Sequence, residues 1–265
     1  MNVGIIGYGS MGKMLADKFA LNGETVYVST RTREKLESAP TALQVCGSNT
    51  EVADVADILF VCVRPVDLLE VIKEIDCIAK EDALLVSLNG SVSFETLAGV
   101  TSKKTAKVIP SVTAEIDRSQ TLVSYSESVR EEDKAKLKAL LGIIGNVIEL
   151  PENEMGMGSE LVSCMPGFIA SMFDVVCESA KKHTSIPDEQ IVDMVLNTMS
   201  ATGDLMIQKD MSFKDVVGRV ATKGGITEVG TKVVYDQFPE TMDELFGKTM
   251  AKRRMTAEAS KKEGK

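Results

Sequence analysis

The sequence predicts an α/β fold in two parts, a doubly wound, mostly parallel sheet over residues 1–150 and an all-helical domain over 151–265. Three observations carry this. Short apolar runs alternate with helical stretches through the first 150 residues, the order that builds a sheet covered on both faces. A glycine-spaced turn directly follows the first run and opens a helix. At Pro151 the strand runs stop and helical periodicity takes over.

The elements follow in order. Val3–Ile6, Thr25–Val28, Ile58–Val63, Ala83–Ser87 and Ala106–Ile109 are rich in Val, Ile and Leu and show little alternation, as strands buried on both faces do. Met11–Ala20, Val66–Ile75 and Phe94–Leu97 read as the helices between them. Strand Thr121–Ser124, helix Arg130–Leu141 and strand Asn146–Leu150 add one further unit. Beyond Pro151, Ser163–Ala180 is strongly apolar with small residues, suiting a helix buried on most sides. Ile186-Pro187-Asp188 is a helix restart, leading into Asp188–Gln208 with Ile191, Met194, Val195 and Met199 on one face. Ser212 is placed to cap a shorter helix, and Gly224–Asp236 and Pro239–Arg254 supply the rest. Most of the 14 methionines lie at or after Met155. A core of adaptable side chains continuous with a dimer interface accounts for them.

Composition excludes several classes. The 265 residues contain one His and no Trp, and 5% are aromatic. A His-rich metal site is impossible, no metal is expected, and a Ser-His-Asp triad would have to use His183, which reads as a helix-end residue. A net charge of −9 argues against nucleic-acid binding, which needs clustered Lys and Arg. The basic exception, Lys252–Lys265, reads as a solvated, frayed terminus or a docking arm. The five cysteines lack C-x-x-C spacing, so reduced and mostly buried thiols in a cytoplasmic protein are expected. Neither a membrane-spanning run nor a signal peptide is expected.

Gly7-Tyr8-Gly9-Ser10-Met11-Gly12 is G-x-G-x-x-G between a strand and a helix, the setting of a Rossmann-type dinucleotide site. Gly7 permits the tight turn, Gly9 lets the backbone approach a pyrophosphate, and Gly12 allows close helix–strand packing. Without a ligand, the same pattern is a glycine-rich turn. At the end of the second strand, no acid appears until Glu34. Ser29, Thr30 and Arg31 stand where an acid would bind the ribose of NAD(H), and hydroxyls and guanidinium suit a 2′-phosphate. This predicts NADP(H) over NAD(H), against the alternative of a solvated Arg pair. The loops Val63-Arg64-Pro65, Asn89-Gly90 and Pro110-Ser111 also follow strands and together line the nicotinamide end of such a site. A second glycine-rich element, Val220–Gly230, puts Gly225, Ile226 and Thr227 at a helix start. It reads equally as a carboxylate site or as an ordinary N-capped helix.

GIIGYGSMG, VRP, LVSLNGSVS, KVIPS, SCMPGFIASM and above all VATKGGITEVGTKVV resemble the pyrroline-5-carboxylate reductase family over nearly the whole chain. The resemblance implies NAD(P)H-dependent reduction of the cyclic imine 1-pyrroline-5-carboxylate to L-proline, in a homodimer or larger ring, with a catalytic cleft between the two domains. It assigns Thr227 to the substrate nitrogen and places Gly225, Ile226 and Thr222 around the carboxylate. A protonated imine is already electrophilic, which suits a chain so poor in His. Ser111, Arg64, Met165 and Lys223 depart from the family pattern, and I-P-S with G-G-I-T looks like its divergent late-competence branch. An NADP-binding paralogue with a regulatory or assembly role, or a different imine or small-acid substrate, is therefore the alternative. The β-hydroxyacid dehydrogenases share the N-terminal pattern but need a Lys that Ser163–Ala180 lacks.

Overall fold

The computed structural model describes residues 1–37 and 39–263, the side chains through Glu258. Strands β1 (Asn2–Ile6), β2 (Thr25–Ser29), β3 (Gln44–Val45), β4 (Ile58–Val61), β5 (Leu84–Ser87), β6 (Lys104–Ile109), β7 (Ser119–Tyr125) and β8 (Gly145–Glu149) form one sheet. Their spatial order is β3-β2-β1-β4-β5-β6-β7-β8, parallel throughout except for β6 against β7. The chain winds outward from β1 in both directions, so the topological switch point lies between β1 and β4.

Alternate residues feed two cores. On one face Ile5, Val28, Phe60, Val86 and Val108 pack with Leu15 and Phe19 of α1 (Ser10–Leu21) and with Leu137 and Leu141 of α5 (Glu131–Leu141). On the other face Ile6, Leu59, Val61 and Leu85 pack with Val52 of α2 (Asn49–Val55), Leu68 and Ile72 of α3 (Pro65–Ile75), and Leu97 of α4 (Phe94–Ala98). Strands with both faces covered read as continuous apolar runs, which is why they stand out in the sequence.

The described chain divides into two compact units, Met1–Pro166 with the segment from Met250 onward, and Gly167–Thr249. A boundary at Pro151 therefore does not match the packing. Glu152 accepts hydrogen bonds from Phe94 N at 2.8 Å and Lys107 Nζ at 3.0 Å, and Met155 is buried with Ile109 and Leu122. These contacts keep α6 (Met155–Ser159) with the sheet. A π-helical turn, Glu160–Cys164, follows and leads into α7 (Met165–Ala180).

The second unit is built from α7 after Pro166, α8 (Asp188–Gln208), α9 (Phe213–Val220) and the part of α10 (Ile226–Glu263) up to Thr249. Ser212 caps α9 as expected, in a reciprocal box with Asp215. Pro239 does not divide the last helix, which runs through it. A helix-interior proline removes one backbone hydrogen bond and kinks a helix without having to end it. The tail from Lys252 is helical to Glu263 rather than frayed, and Gly264 and Lys265 lie outside the described residues.

Burial on most sides is corrected for α7, where Cys177 is the buried residue. The run Glu152–Ala180 has the length to cross a membrane, which the sequence reading did not anticipate. By length and composition alone it is apolar enough to cross one, with a mean hydropathy of 1.5 and 11% of that window buried. Across this unit large apolar side chains are exposed, among them Val175, Val192, Leu196, Phe213 and Val233. Within this unit a cavity of about 860 Å³ is lined by Phe173, Met194, Met199, Met206 and Tyr235 among others. The thiols are all free; Cys177 is buried, Cys46, Cys62 and Cys164 are partly buried and Cys77 is exposed, so the expectation of mostly buried thiols holds only in part.

Candidate coenzyme site

The site begins at the C-terminal ends of β1, β2 and β4. Ile6 pairs with Ser29 on one side and Val61 on the other, so Gly7, Thr30 and Cys62 emerge side by side. Gly7 has φ +98°, a left-handed conformation, and a Cβ there would stand 2.5 Å from the Cys62 carbonyl oxygen. A Cβ on Gly12 would stand 2.0 Å from the Gly7 oxygen. A Cβ on Gly9 would meet nothing within 4 Å. Gly9 is the N-cap of α1, with no side-chain cap and no acid in the first turn. The free N–H groups and the positive helix end are thus open to an anion. This cradle fits the pyrophosphate of a dinucleotide, since the two tight glycines build the turn and the open one admits the ligand.

Two cavities flank the cradle. The first, about 520 Å³, is bordered by Gly7, Tyr8, Gly9, Thr30, Arg31, Val63 and Arg64. The second, about 350 Å³, is bordered by Gly9, Ser10, Met11, Gly12, Val63, Arg64, Leu88, Ile109, Pro110 and Ser163. The structure therefore brings together most of the expected coenzyme residues.

Five others do not border either cavity. Ser29 is buried and its hydroxyl lies 2.8 Å from Asn49 Oδ1, so it faces the protein and not the first cavity. Pro65 is the first residue of α3 and serves the helix start. Asn89 is buried, its Oδ1 accepting from Ser91 N at 2.8 Å, while its Nδ2 has no partner among the described residues. Gly90 packs against Ile109, which would lie 2.8 Å from a Cβ there. Ser111 caps the turn after β6.

The first cavity also contains residues that sequence reading overlooked: Thr32, Lys35, Asn49, Cys62, Asp67, Glu70 and Glu74. Lys35 was legible, lying two residues after Arg33 in a short 3-10 turn (Arg33–Leu36). The acids come from α3, which no motif ties to the site. Asp67 receives Arg64 Nε at 2.9 Å and Nη2 at 3.2 Å, and Arg31 Nη2 at 3.4 Å. The Arg64 hydrogen bond holds the Asp67 carboxyl below the usual carboxylate range. Burial pushes the Cys62 thiol well up, so it stays protonated. Burial, then the 2.7 Å hydrogen bond that its O–H donates to Asp17 Oδ1, raises the Tyr8 phenol, so it stays protonated at neutral pH.

In the second unit, Gly225, Ile226 and Thr227 sit at the start of α10 as expected. Gly224 has φ +75°, its N–H bonds Glu228 Oε2 at 2.7 Å, and Gly225 N–H bonds the Thr222 carbonyl at 2.8 Å. Ile226 is almost fully exposed. His183 lies in the turn that ends α7. Among the described residues, no group of three or more His, Cys, Asp or Glu side chains is placed to hold a metal ion.

Comparison with known proteins decides the family. The chain is 30% identical over 263 residues to pyrroline-5-carboxylate reductase 3 of Bacillus subtilis, covering 97% of each. The chain belongs to the pyrroline-5-carboxylate reductase family. It is thereby an oxidoreductase of the imine-reducing type. The pyrroline-5-carboxylate reductase dimerisation family matches residues 152–256, and the family of coenzyme F420-dependent NADP oxidoreductases matches residues 2–90. The ComE operon protein 4 of Bacillus subtilis is 25% identical and covers 99% of each chain. In fold, the chain resembles the Plasmodium falciparum pyrroline carboxylate reductase with NADP bound, with a TM-score of 0.85 at 21% identity over 97% of this chain and 98% of that one.

Proposed function

We propose that this chain reduces the C=N bond of 1-pyrroline-5-carboxylate to L-proline with NADPH, in proline biosynthesis in the cytoplasm. The observation that carries the reading is the open Gly9 between the closed Gly7 and Gly12, in a member of this family. The pyrophosphate lies against the N–H groups of the Gly7–Gly12 turn. Thr30 and Arg31, with Lys35 beside them, hold the 2′-phosphate, and Arg31 turns from Asp67 toward that stronger charge. The nicotinamide end lies in the second cavity, along Val63, Pro110 and Ser163. When bound, NADPH supplies the hydride that the imine carbon accepts.

The chain does the positioning. By role, residues 1–150 act as the coenzyme domain and 151–265 as the substrate and dimerisation domain, close to the span the dimerisation family matches, although the stretch up to Pro166 and the segment from Met250 pack with the sheet. The Ile226 N–H, in the turn that Gly225 and Thr222 close through their own hydrogen bond, holds the substrate carboxylate together with the Thr222 hydroxyl. The Thr227 hydroxyl hydrogen-bonds the ring nitrogen, which gains a proton as the carbon gains hydride. A second copy of the chain covers the apolar faces of α7 to α10, making a homodimer or larger homo-oligomer. The membrane-length run Glu152–Ala180 then meets protein, in keeping with the dimerisation family that spans it.

The test is NADPH oxidation with pyrroline-5-carboxylate by wild type, Thr227→Ala and Arg31→Ala. Turnover in wild type is expected, with a kcat lower by about 100-fold in Thr227→Ala. Arg31→Ala is expected to weaken NADPH but not NADH. The departures Ser111, Met165 and Lys223 favour a second reading, an NADP-binding paralogue with a regulatory or assembly role. NADPH binding without turnover on pyrroline-5-carboxylate decides for it.

A further inference from the structure

Glu160 opens the π-helical turn Glu160–Cys164 and is 1% exposed. Its Oε1 receives Arg253 Nη2 at 2.8 Å and Nε at 3.3 Å, while its Oε2 has no partner among the described residues. Arg253 Nη2 also donates to Ser159 Oγ at 3.1 Å. A carboxylate this deeply buried is tolerated only while it is paired, so the guanidinium fixes where Glu160 sits. Irregular π turns within helices are frequent at functional sites.

Two walls of the second cavity adjoin this pair. Three residues along the π turn from Glu160, Ser163 borders the cavity opposite Gly9–Gly12. On the other side, Arg253 Nη1 lies 3.7 Å from where a Cβ on Gly90 would stand, and Ile109 Cδ1 lies 2.8 Å from the same point. Ile109 also borders the cavity. One side chain from the C-terminal segment therefore pairs with the residue that opens the Ser163 turn and lies beside Gly90, the residue packed against Ile109.

We propose that Arg253 is a positioning residue for the nicotinamide end of the coenzyme site, holding the Ser163 wall through Glu160 and packing beside Gly90, against which the cavity residue Ile109 rests. The inference rests on the coenzyme reading above. Arg253 touches neither coenzyme nor substrate, and it acts by keeping the second cavity in shape. The adenosine end, at Thr30, Arg31 and Lys35, lies in the first cavity and does not depend on it.

The test compares two ligands by equilibrium binding on the full chain. One is NADPH, and the other is 2′,5′-ADP, which carries the adenosine end but no nicotinamide. Arg253→Met is expected to weaken NADPH by about tenfold and to leave 2′,5′-ADP within about twofold. Arg253→Lys keeps a charge for Glu160 and is expected to recover NADPH binding to within about threefold of wild type. Unchanged NADPH affinity in Arg253→Met overturns the proposal, as does an equal loss for both ligands, which marks a general loosening. If Arg253→Met does not fold, the double variant Glu160→Gln with Arg253→Met removes both buried charges. Wild-type NADPH affinity in that variant overturns the proposal, and the same split between ligands supports it. Wild type binding neither ligand defeats the coenzyme reading itself, whereas wild type binding both beside an unaltered Arg253→Met defeats only this inference.

Discussion

A Cβ on Gly12 would stand 2.0 Å from the carbonyl oxygen of Gly7, while one on Gly9, between them in sequence, would meet nothing within 4 Å. Gly9 also has an ordinary extended conformation, φ −82° and ψ −171°. The protein itself thus has no steric need for glycine at position 9, and a ligand does. Gly9→Ala is expected to fold with unchanged thermal stability and to lose NADPH affinity by at least about tenfold. Gly12→Ala is expected to lower the melting temperature as well, because backbone has to move. Calorimetry and NADPH titration on both variants check this. Unimpaired binding by Gly9→Ala would sink the assignment of the cradle.

On the proposed reading, coenzyme preference depends on which side chains face the first cavity. Ser29, although it ends β2, spends its hydroxyl on Asn49. Ser29→Ala is therefore expected to cost about 1 kcal/mol of stability through the lost hydrogen bond and to leave the NADPH to NADH affinity ratio unchanged. Asp67→Asn, which releases Arg31 and Arg64, is expected to raise that ratio, since a carboxylate that competes with the 2′-phosphate is gone. A ratio that moves with Ser29 and not with Asp67 would reverse these roles.

The first half of the fold was legible because its signals are local. Ile5 and Phe60 feed one core and Ile6 and Leu59 the other, so each strand reads as an unbroken apolar run. Strand β3 is two exposed residues, Gln44 and Val45, too short for any pattern. The antiparallel setting of β7 depends on the partner it meets, β6, and not on its own residues. The cradle was legible since its glycines answer backbone geometry. The inward turn of Ser29 was not, because it depends on Asn49 from α2, a helix of seven residues. In α7 to α10, residues such as Val192 and Phe213 have one sequence signature whether they line a core or an interface between copies, so burial there could not be read.

An ion pair between Lys107 and Glu152 helps to anchor the segment after β8. Lys107 Nζ lies 3.0 Å from Glu152 Oε1, with the lysine side chain 3% exposed and the glutamate 35%. Glu152→Ala would leave the buried lysine unpaired, with the Phe94 ring 5.6 Å away as its remaining electrostatic neighbour of note. Removing one partner of a buried pair costs about 3 kcal/mol. For a chain of this size that lowers the melting temperature by roughly 6 to 12 °C. Glu152→Gln keeps an acceptor for Phe94 N and is expected to lose less. Equal melting temperatures for Glu152→Ala and wild type would show that the pair contributes nothing.

Asp133 gives stability its acid dependence at the opposite end of the sheet. It accepts from Lys104 Nζ at 2.7 Å and from Arg130 N at 3.2 Å, with both charged side chains largely buried. Burial works to raise its carboxyl, but the Lys104 hydrogen bond, the Arg130 N–H and the two cationic charges outweigh it and hold the carboxyl below the usual range. A carboxyl depressed in the folded state binds its proton more readily when unfolded. Its stabilising contribution is therefore complete above the unfolded value, near about 3.9, and is lost as pH falls through the folded value. Asp133→Asn lacks that contribution. The variant is expected to melt below wild type at pH 7, and the gap is expected to close as pH falls below about 4, since wild type alone loses the carboxylate. Melting temperatures of both proteins between pH 7 and pH 3 decide it. A gap that stays constant across that range would mean that the carboxylate's charge plays no part in holding Lys104.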